Sequence, residues 1–288
     1  MSKPTVLLTG ATGFLGSHLL EALLKQSYQV VVLKRSTSNL WRIEHLAGLY
    51  KSYDVDTQPI EQAFEEQRID CVIHTACHYG RNGSALSEVV ESNLIFGLKV
   101  LEAAITHQAI RFINTDSLLP RDLNPYSLSK KQLVDWLKQQ SSKIQVTNLK
   151  LEHMYGPKDD ATKFIAWLVT QLQQNVPVIN LTSGVQKRDF IYIEDVVSAF
   201  ICVLQNAEYL PSFSEFEVGT GKSIEVKTFV QNLKQVFDQR YGQTKTQLNF
   251  GAVPYRQGEI MEFKVDNQAL RKLGWQPKVS LSQGLEQS

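Results

Sequence analysis

Residues 6–20 read VLLTGATGFLGSHLL, and this stretch decides the fold class. A short apolar run reaches Gly10, Gly13 and Gly16, and Phe14, Leu15, Leu19, Leu20, Leu23 and Leu24 then recur at helical spacing. Strand, glycine turn and amphipathic helix follow one another without a gap. Three glycines at such a junction serve a tight turn, a close backbone approach to a pyrophosphate, and a helix N-terminus aimed at that anion. The spacing is GxxGxxG, one residue longer between the first two glycines than the dehydrogenase GxGxxG. The contacts predicted for a dinucleotide here are Gly10, Thr12, Gly13, Phe14, Leu15 and Gly16.

Working outward, the first half alternates short β-branched runs with longer helical patterns, the signature of a parallel sheet covered on both faces. QVVVLK (29–34) reads as strand two, DCVIHTA (70–76) as a later strand, RFIN (111–114) as the next and IQVTNLKL (144–151) as the sixth. Helical patterns lie at 87–107 and 126–140. Further on the pattern is mixed, with short strands around PVINL and FEVG and helical stretches at 163–174, 195–205 and 226–240. No Gly/Ser/Pro-rich linker separates the parts. The predicted class is therefore α/β, a Rossmann-type doubly wound parallel sheet with a smaller interwoven α/β substrate lobe. The expected division is 1–152 plus about 181–207 for the dinucleotide-binding domain, and about 153–180 and 208–288 for the lobe.

Bulk composition narrows the classes. Across 288 residues, 43% hydrophobic and 20% charged residues describe an ordinary globular chain, and a net charge of +1 offers nothing to nucleic acid or a membrane surface. No apolar run approaches the ~20 residues a membrane span needs. The N-terminus reaches its glycine turn too early for a secretory signal peptide. Cys71, Cys77 and Cys202 are odd in number, which suits thiols in a reducing cytoplasm better than a disulfide framework.

Two further stretches carry chemistry. In PYSLSK (125–130) a helical turn of about 3.6 residues stacks Tyr126 and Lys130 on one face. A phenol with a pKa of about 10 exchanges protons poorly at neutral pH. An ammonium beside it favours the phenolate, and bringing the pKa to about 7 takes about 4 kcal/mol, within reach of a buried cation and a bound cationic cofactor. At the end of strand two, where NAD-binding proteins usually place an acid for the ribose hydroxyls, the chain reads VVVLKRSTS. Lys34, Arg35 and Ser36, with no acid nearby in sequence, suit a 2′-phosphate and therefore NADP(H).

The glycine loop, IHTA at 73–76, the Tyr126/Lys130 pair, LEHMYGP at 151–157 and RDFIYIEDVV at 188–197 stand in the order seen in extended short-chain dehydrogenases/reductases. The chain resembles that family over nearly its whole length. Within it, SNLIFGLKVLEAA, KLEHMYGP, TSGVQKRDFIYIEDVV and YRQGEIMEF are most similar to the CDP-paratose and CDP-abequose synthases, 4-ketoreductases that finish 3,6-dideoxyhexoses for surface polysaccharides. The resemblance implies Tyr126 as general acid, and Lys130 as holder of the nicotinamide ribose that also depresses the tyrosine's pKa. It implies a hydroxyl just past strand five that hydrogen-bonds the C4 oxygen: Thr115, with Ser117 as the alternative and a substrate contact. Asp54 and Val55 match a segment that contacts adenine, and Ala76 the strand end that lines the cofactor. His153, Arg188, Arg256 and Glu259 match positions that hold the sugar diphosphate and nucleotide ribose, whereas Asp189 and Asp195 read as caps or ion-pair partners.

Other readings are weaker. His74, Cys77 and His78 spell HxxCH, but strand residues four apart lie ~13 Å apart, too far to share a metal unless the chain turns sharply. The Thr-Asp of INTDSLLP is similar to the Thr-Asp-Glu of nucleotide-sugar 4,6-dehydratases, yet Ser117 stands where the glutamate would remove the C5 proton. The expected activity is NADPH-dependent reduction of a CDP-4-keto-3,6-dideoxyhexose to CDP-paratose or CDP-abequose, the face of C4 being open. The rivals are a nucleotide-sugar 4-epimerase that retains NAD and, less favoured because the Tyr/Lys pair is intact, a non-catalytic redox sensor. The resemblance also implies a homodimer packed through the helices at 87–107 and 126–140.

Overall fold

The apolar run Thr5–Thr9 forms β1, buried from Val6 onward, and it is an interior strand of a seven-stranded sheet. Residues were placed in a computed structural model that describes the whole chain except Met1, Ser2, Asn82 and Gln257. To one side of β1 lie β2 (Gln29–Lys34) and β3 (Lys51–Asp54). To the other lie β4 (Cys71–His74), β5 (Arg111–Ser117), β6 (Gln145–Leu151) and, at the edge, a late strand at Phe213–Val218. The pairings from β3 through β6 are all parallel. The order of winding reverses between β1 and β4, the switch point outside whose strand ends open α/β sheets bind ligands.

Helices α1 (Phe14–Lys25), α2 (Ile60–Glu66), α3 (Leu86–Val90), α4 (Phe96–Thr106) and α5 (Pro125–Gln139) connect these strands, with a π-helical turn at Glu91–Ile95 between α3 and α4. Leu7, Val72, Phe112 and Val146 share one sheet face and pack with Val100, Leu101, Leu133 and Leu137 from α4 and α5. Toward the carboxyl ends the same alternating positions become polar: Thr9, His74, Asn114, Asp116 and Asn148 are all buried. Apolar packing thus holds the sheet together up to the level where its strand ends turn to chemistry.

The chain divides into two compact units, 1–151 with 197–217 and 152–196 with 218–288. The returning segment lies later than the expected 181–207, for two reasons. Residues 187–192 pair inside the second unit, and the FEVG region, expected in the lobe, supplies the edge strand beside β6. In the second unit, β7 (His153–Tyr155) pairs with β10 (Phe190–Tyr192), β8 (Val178–Leu181) with β13 (Gln247–Phe250), and β9 (Lys187–Arg188) antiparallel with β12 (Ile224–Glu225). The edge strand of the large sheet, Phe213–Val218, is β11. Helices α6 (Phe164–Gln173), α7 (Ile193–Asn206), α8 (Val226–Tyr241), α9 (Gln268–Lys272) and α10 (Leu281–Glu286) complete the elements used below. Phe190 stacks on Phe229 of α8 at 3.8 Å between centroids, and Tyr155 meets the same ring edge-on at 5.7 Å. No described helix is long and apolar enough to cross a membrane.

Candidate active site

Gly10 turns the chain out of β1 with φ of 70°, and a Cβ there would lie 2.7 Å from the Ala76 nitrogen and the Thr75 hydroxyl. Glycine is required on both counts. A Cβ on Gly16 would stand 2.1 Å from the Gly10 carbonyl oxygen, so this glycine lets α1 seat on the loop. Gly13 forms the N-cap of α1, which has neither a side-chain cap nor an acid in its first turn. The helix therefore presents its first N–H groups to an anion. Phe14 and Leu15 bury their side chains, which leaves their backbone to face a ligand. Thr12 offers its carbonyl to Arg42 Nη1 at 3.3 Å, a tie from the loop after β2 that sequence reading did not find. Across the switch point, Thr9 Oγ1 accepts from the Thr75 and Ala76 nitrogens at 3.2 Å each, which pins the end of β4 to β1.

The end of β2 departs from expectation. Sequence showed no acid near Lys34, but parallel register sets Asp54 of β3 directly beside it, with Lys34 Nζ 3.7 Å from Asp54 Oδ2. Ser36 Oγ donates to the same carboxylate at 2.8 Å, and the Ser36 nitrogen donates to Asp56. Asp54 sits below the usual carboxylate range: desolvation alone would raise it, but the bonds from Ser36 and Asp56 and the charge of Lys34 outweigh that. Val55 is held by its N–H on the Lys34 carbonyl, 2.9 Å away. Arg35 is exposed, and its guanidinium has no partner among the described residues.

The two predicted catalytic elements meet at the end of β5. That strand runs to Ser117, three residues beyond RFIN, because its pairing with β6 continues to Ser117↔Leu151. Thr115 is consequently inside the strand rather than past it, and its hydroxyl is buried without a hydrogen-bond partner. Ser117 Oγ accepts from the Leu119 nitrogen at 3.3 Å and so is partly committed. On α5, Asn124 caps the helix and Pro125 opens it, which sets Tyr126 in its first turn. Lys130 is 1% exposed, and its ammonium has no hydrogen-bond partner among the described residues. Buried polar atoms are normally satisfied within the protein. An unmet ammonium and an unmet hydroxyl, in the unit that also carries the glycine-lined anion cradle, suit the hydroxyl-rich, anionic surface of a dinucleotide.

The electrostatics correct one expectation. Burial pushes the Tyr126 phenol well above its ordinary pKa, with Cys77, Tyr79 and Asp116 acting in the same direction and Arg81 against it. Lys130 does not lower it in the protein alone. Burial instead holds the Lys130 ammonium below the ordinary lysine range, opposed by Cys77 and Asp116 and aided by Lys131. Desolvation outweighs the pairwise attraction on which the sequence argument rested.

Three neighbours were missed in sequence. Tyr79, in the loop after β4, packs against Tyr126 with the rings tilted by 33° and their centroids 5.1 Å apart, and carries the Arg81 guanidinium 5.0 Å from its own ring. Asn93, fully buried in the π-helical turn, accepts from the His78 nitrogen at 2.6 Å and donates to the His78 carbonyl and to Ser129 Oγ. Lys131 bonds Asp116 at 2.6 Å. An aromatic, an amide and a second lysine carry no motif that would have marked them. His74 is fully buried against Thr9 Oγ1 at 2.9 Å, and burial lowers its pKa to about 3. Among the described residues, no group of His, Cys, Asp and Glu is arranged to hold a metal ion.

In the second unit, Arg188 is buried and paired with Glu259, donates Nη1 to the Lys187 carbonyl at 2.7 Å, and faces the Phe263 ring. Arg256 is exposed. His153 is exposed too, with Nδ1 3.4 Å from the buried carboxylate of Glu152. Asp189 accepts from Thr220 and the Gly221 nitrogen, and Asp195 from the nitrogens of Lys278 and Val279. Both aspartates organise loops.

Residues 6–219 match the NAD dependent epimerase/dehydratase family. The chain belongs to that family. A CDP-abequose synthase from Salmonella typhimurium is 34% identical over 302 residues, covering 99% of this chain and 97% of that protein. Among solved structures, a UDP-glucose 4-epimerase from Thermotoga maritima, determined with UDP-glucose, superposes with a TM-score of 0.84 at 23% identity, covering 98% and 96% of the two chains. A UDP-glucuronic acid 4-epimerase from Bacillus cereus, in complex with its sugar nucleotide and NAD, gives 0.83 at 24% identity, covering 98% and 97%. These likenesses at low identity carry the epimerase/dehydratase fold across both units of the chain.

Proposed function

We propose that this family member is an NADPH-dependent 4-ketoreductase of a CDP-4-keto-3,6-dideoxyhexose, yielding CDP-paratose or CDP-abequose. The observation that carries the reading is the state of Tyr126. Reduction of a C4 ketone develops an oxyanion that needs a proton, and burial keeps the proton on this phenol until it is needed. The bound nicotinamide would supply the hydride. Thr115, whose hydroxyl has no protein partner, would hydrogen-bond the C4 oxygen as charge grows there, with Ser117 close by in the strand. Lys130 would hold the nicotinamide ribose, and its charge would steady the tyrosinate left after proton transfer. The glycine loop, with Asp54, Val55 and Ala76, would carry the rest of the dinucleotide, and Arg35 would take the 2′-phosphate. His153, Arg188, Arg256 and Glu259 would contact the nucleotide sugar. Full-length similarity to a CDP-abequose synthase supports the substrate class.

A specific observation favours the runner-up. Asp54 beside Lys34 puts a carboxylate where NAD-binding proteins use one, and retained NAD belongs to a 4-epimerase. Mass spectrometry of products from CDP-, dTDP-, UDP- and GDP-linked 4-ketosugars with NADPH distinguishes the two. The expected result is reduction of the CDP-linked ketosugar. Interconversion of 4-hydroxy sugars without net consumption of NADPH would replace the reductase by the epimerase.

A further inference from the structure

Lys131 follows Lys130 on α5 and reaches the end of β5. Its ammonium donates to Asp116 Oδ2 at 2.6 Å and to the Ser117 carbonyl at 2.5 Å. The two acceptors belong to the two residues after Thr115. The carboxylate side chain is 1% exposed and the lysine 19%. Asp116 Oδ2 also accepts from Asn148 Nδ2 at 3.2 Å. Asn148 in turn accepts from Asn114 at 2.8 Å and donates to Glu215 of β11 at 2.8 Å. Directional bonds therefore run from α5 through β5 and β6 to β11. Strand alternation points Asp116 away from the Thr115 side, into the layer of buried polar groups on the face that α5 covers.

We propose that the Asp116–Lys131 ion pair is a positioning device, fixing the end of β5 on α5 so that Thr115 and the Tyr126/Lys130 pair keep one relative geometry. It rests on the catalytic roles given to those three residues. Leu133 and Leu137 hold α5 to the sheet by contacts that are not directional, whereas two short charge-assisted bonds fix a register. A displacement of about 1 Å at a catalytic group can cost about 10²-fold in rate. The pair also shapes the local field. Asp116 lies near enough to raise the pKa of both Tyr126 and Lys130. The charged groups facing it are Lys130 and Lys131 from α5, Lys150 from β6, which pairs with Glu215 and Glu217, and Glu215 from β11; His74 from β4 is neutral.

The test compares wild type, Asp116→Asn and the paired change Asp116→Leu with Lys131→Met. An apolar pair of similar volume commonly preserves stability where a single deletion would strand a buried charge. The paired variant is expected to melt near wild type and to bind NADPH within about three-fold (~0.7 kcal/mol). Its kcat should fall about 10²-fold with KM for the ketosugar little changed. Asp116→Asn keeps the bonds but loses the charge, so the basic limb of the kcat profile should move to lower pH. Near-ultraviolet tyrosinate titration, each protein referenced to its Tyr126→Phe counterpart, should show Tyr126 ionising at lower pH in Asp116→Asn. A well-folded paired variant with wild-type kcat, or an unmoved Tyr126 titration, would overturn the proposal. Should wild type reduce no 4-ketosugar, the functional reading fails, and the substrate-free titration still decides this inference.

Discussion

Replacing Lys130 by Met should stabilise the protein while disabling it. The ammonium is 1% exposed and has no hydrogen-bond partner among the described residues. A neutral donor in that position costs about 1–3 kcal/mol, and a charged one more. Methionine fills similar space with no polar group to satisfy. In the absence of cofactor, Lys130→Met should therefore gain at least about 1–3 kcal/mol, with Tm rising about 2–4 °C for each. The sign of the pH dependence follows from the pKa direction. The native pKa of Lys130 is lowered, first by burial, so the unfolded chain binds the proton more readily. The penalty is present in full below the lowered native pKa and fades as pH rises toward the ordinary lysine range. The variant's advantage should shrink over that window. Saturating NADPH should reverse the order, because a ligand at 100 times its Kd adds about 2.7 kcal/mol to the wild type, and the variant has lost the group proposed to hold the ribose. Thermal melts with and without NADPH across pH check all three points. A variant less stable than wild type without cofactor, or one that gains as much from NADPH, would refute the reasoning.

Tyr126→Phe should fold, bind NADPH and lose at least ~10²-fold in turnover, since it removes the proton donor alone; near-normal kcat in a stopped assay would remove Tyr126 from the mechanism. Arg35→Ala should weaken NADPH ten-fold or more, because a charge-assisted bond is worth about 1.5–3 kcal/mol, and should leave NADH nearly unchanged. Equal losses for both cofactors in parallel titrations, or tightly held NAD in purified wild type, would favour the epimerase. Trp136, 51% exposed on α5, should lie in the proposed homodimer face, so Trp136→Glu should shift the protein toward monomer by light scattering; wild type already monomeric at micromolar concentration would count against the dimer.

Local signals made most of the first unit legible. The glycine spacing gave the β1–α1 junction, and the short β-branched runs gave β2, β4, β5 and β6. What sequence could not show were relations set by register and burial. Asp54 is 20 positions from Lys34 along the chain and directly beside it across β2 and β3. Residues 213–218 read as a fragment of a lobe because an edge strand at Phe213–Val218, with three buried positions, has too short a pattern to announce the sheet it joins. Thr115 and Ser117 were indistinguishable as letters. The structure separates them, with one hydroxyl unmatched and the other accepting from Leu119. Arg188 and Glu259, read as two substrate contacts, turn out to satisfy one another.

The Tyr126–Lys130 pair carries the deeper lesson. Spacing alone suggested an ammonium pulling a phenol toward ionisation. In the fold Lys130 is buried and Tyr126 half-buried, and desolvation acts on each in the direction of its neutral form: the phenol keeps its proton and the ammonium holds its own less firmly. A phenol that holds its proton is poorly suited to begin by abstracting one, as an epimerase must when it oxidises a hydroxyl. It starts in the form that can give a proton to an oxyanion, with the Lys130 ammonium to steady what remains. The same burial that makes Lys130 costly to keep thus sets the resting state a ketoreductase needs, a protonated Tyr126, and ties stability and chemistry to one helix.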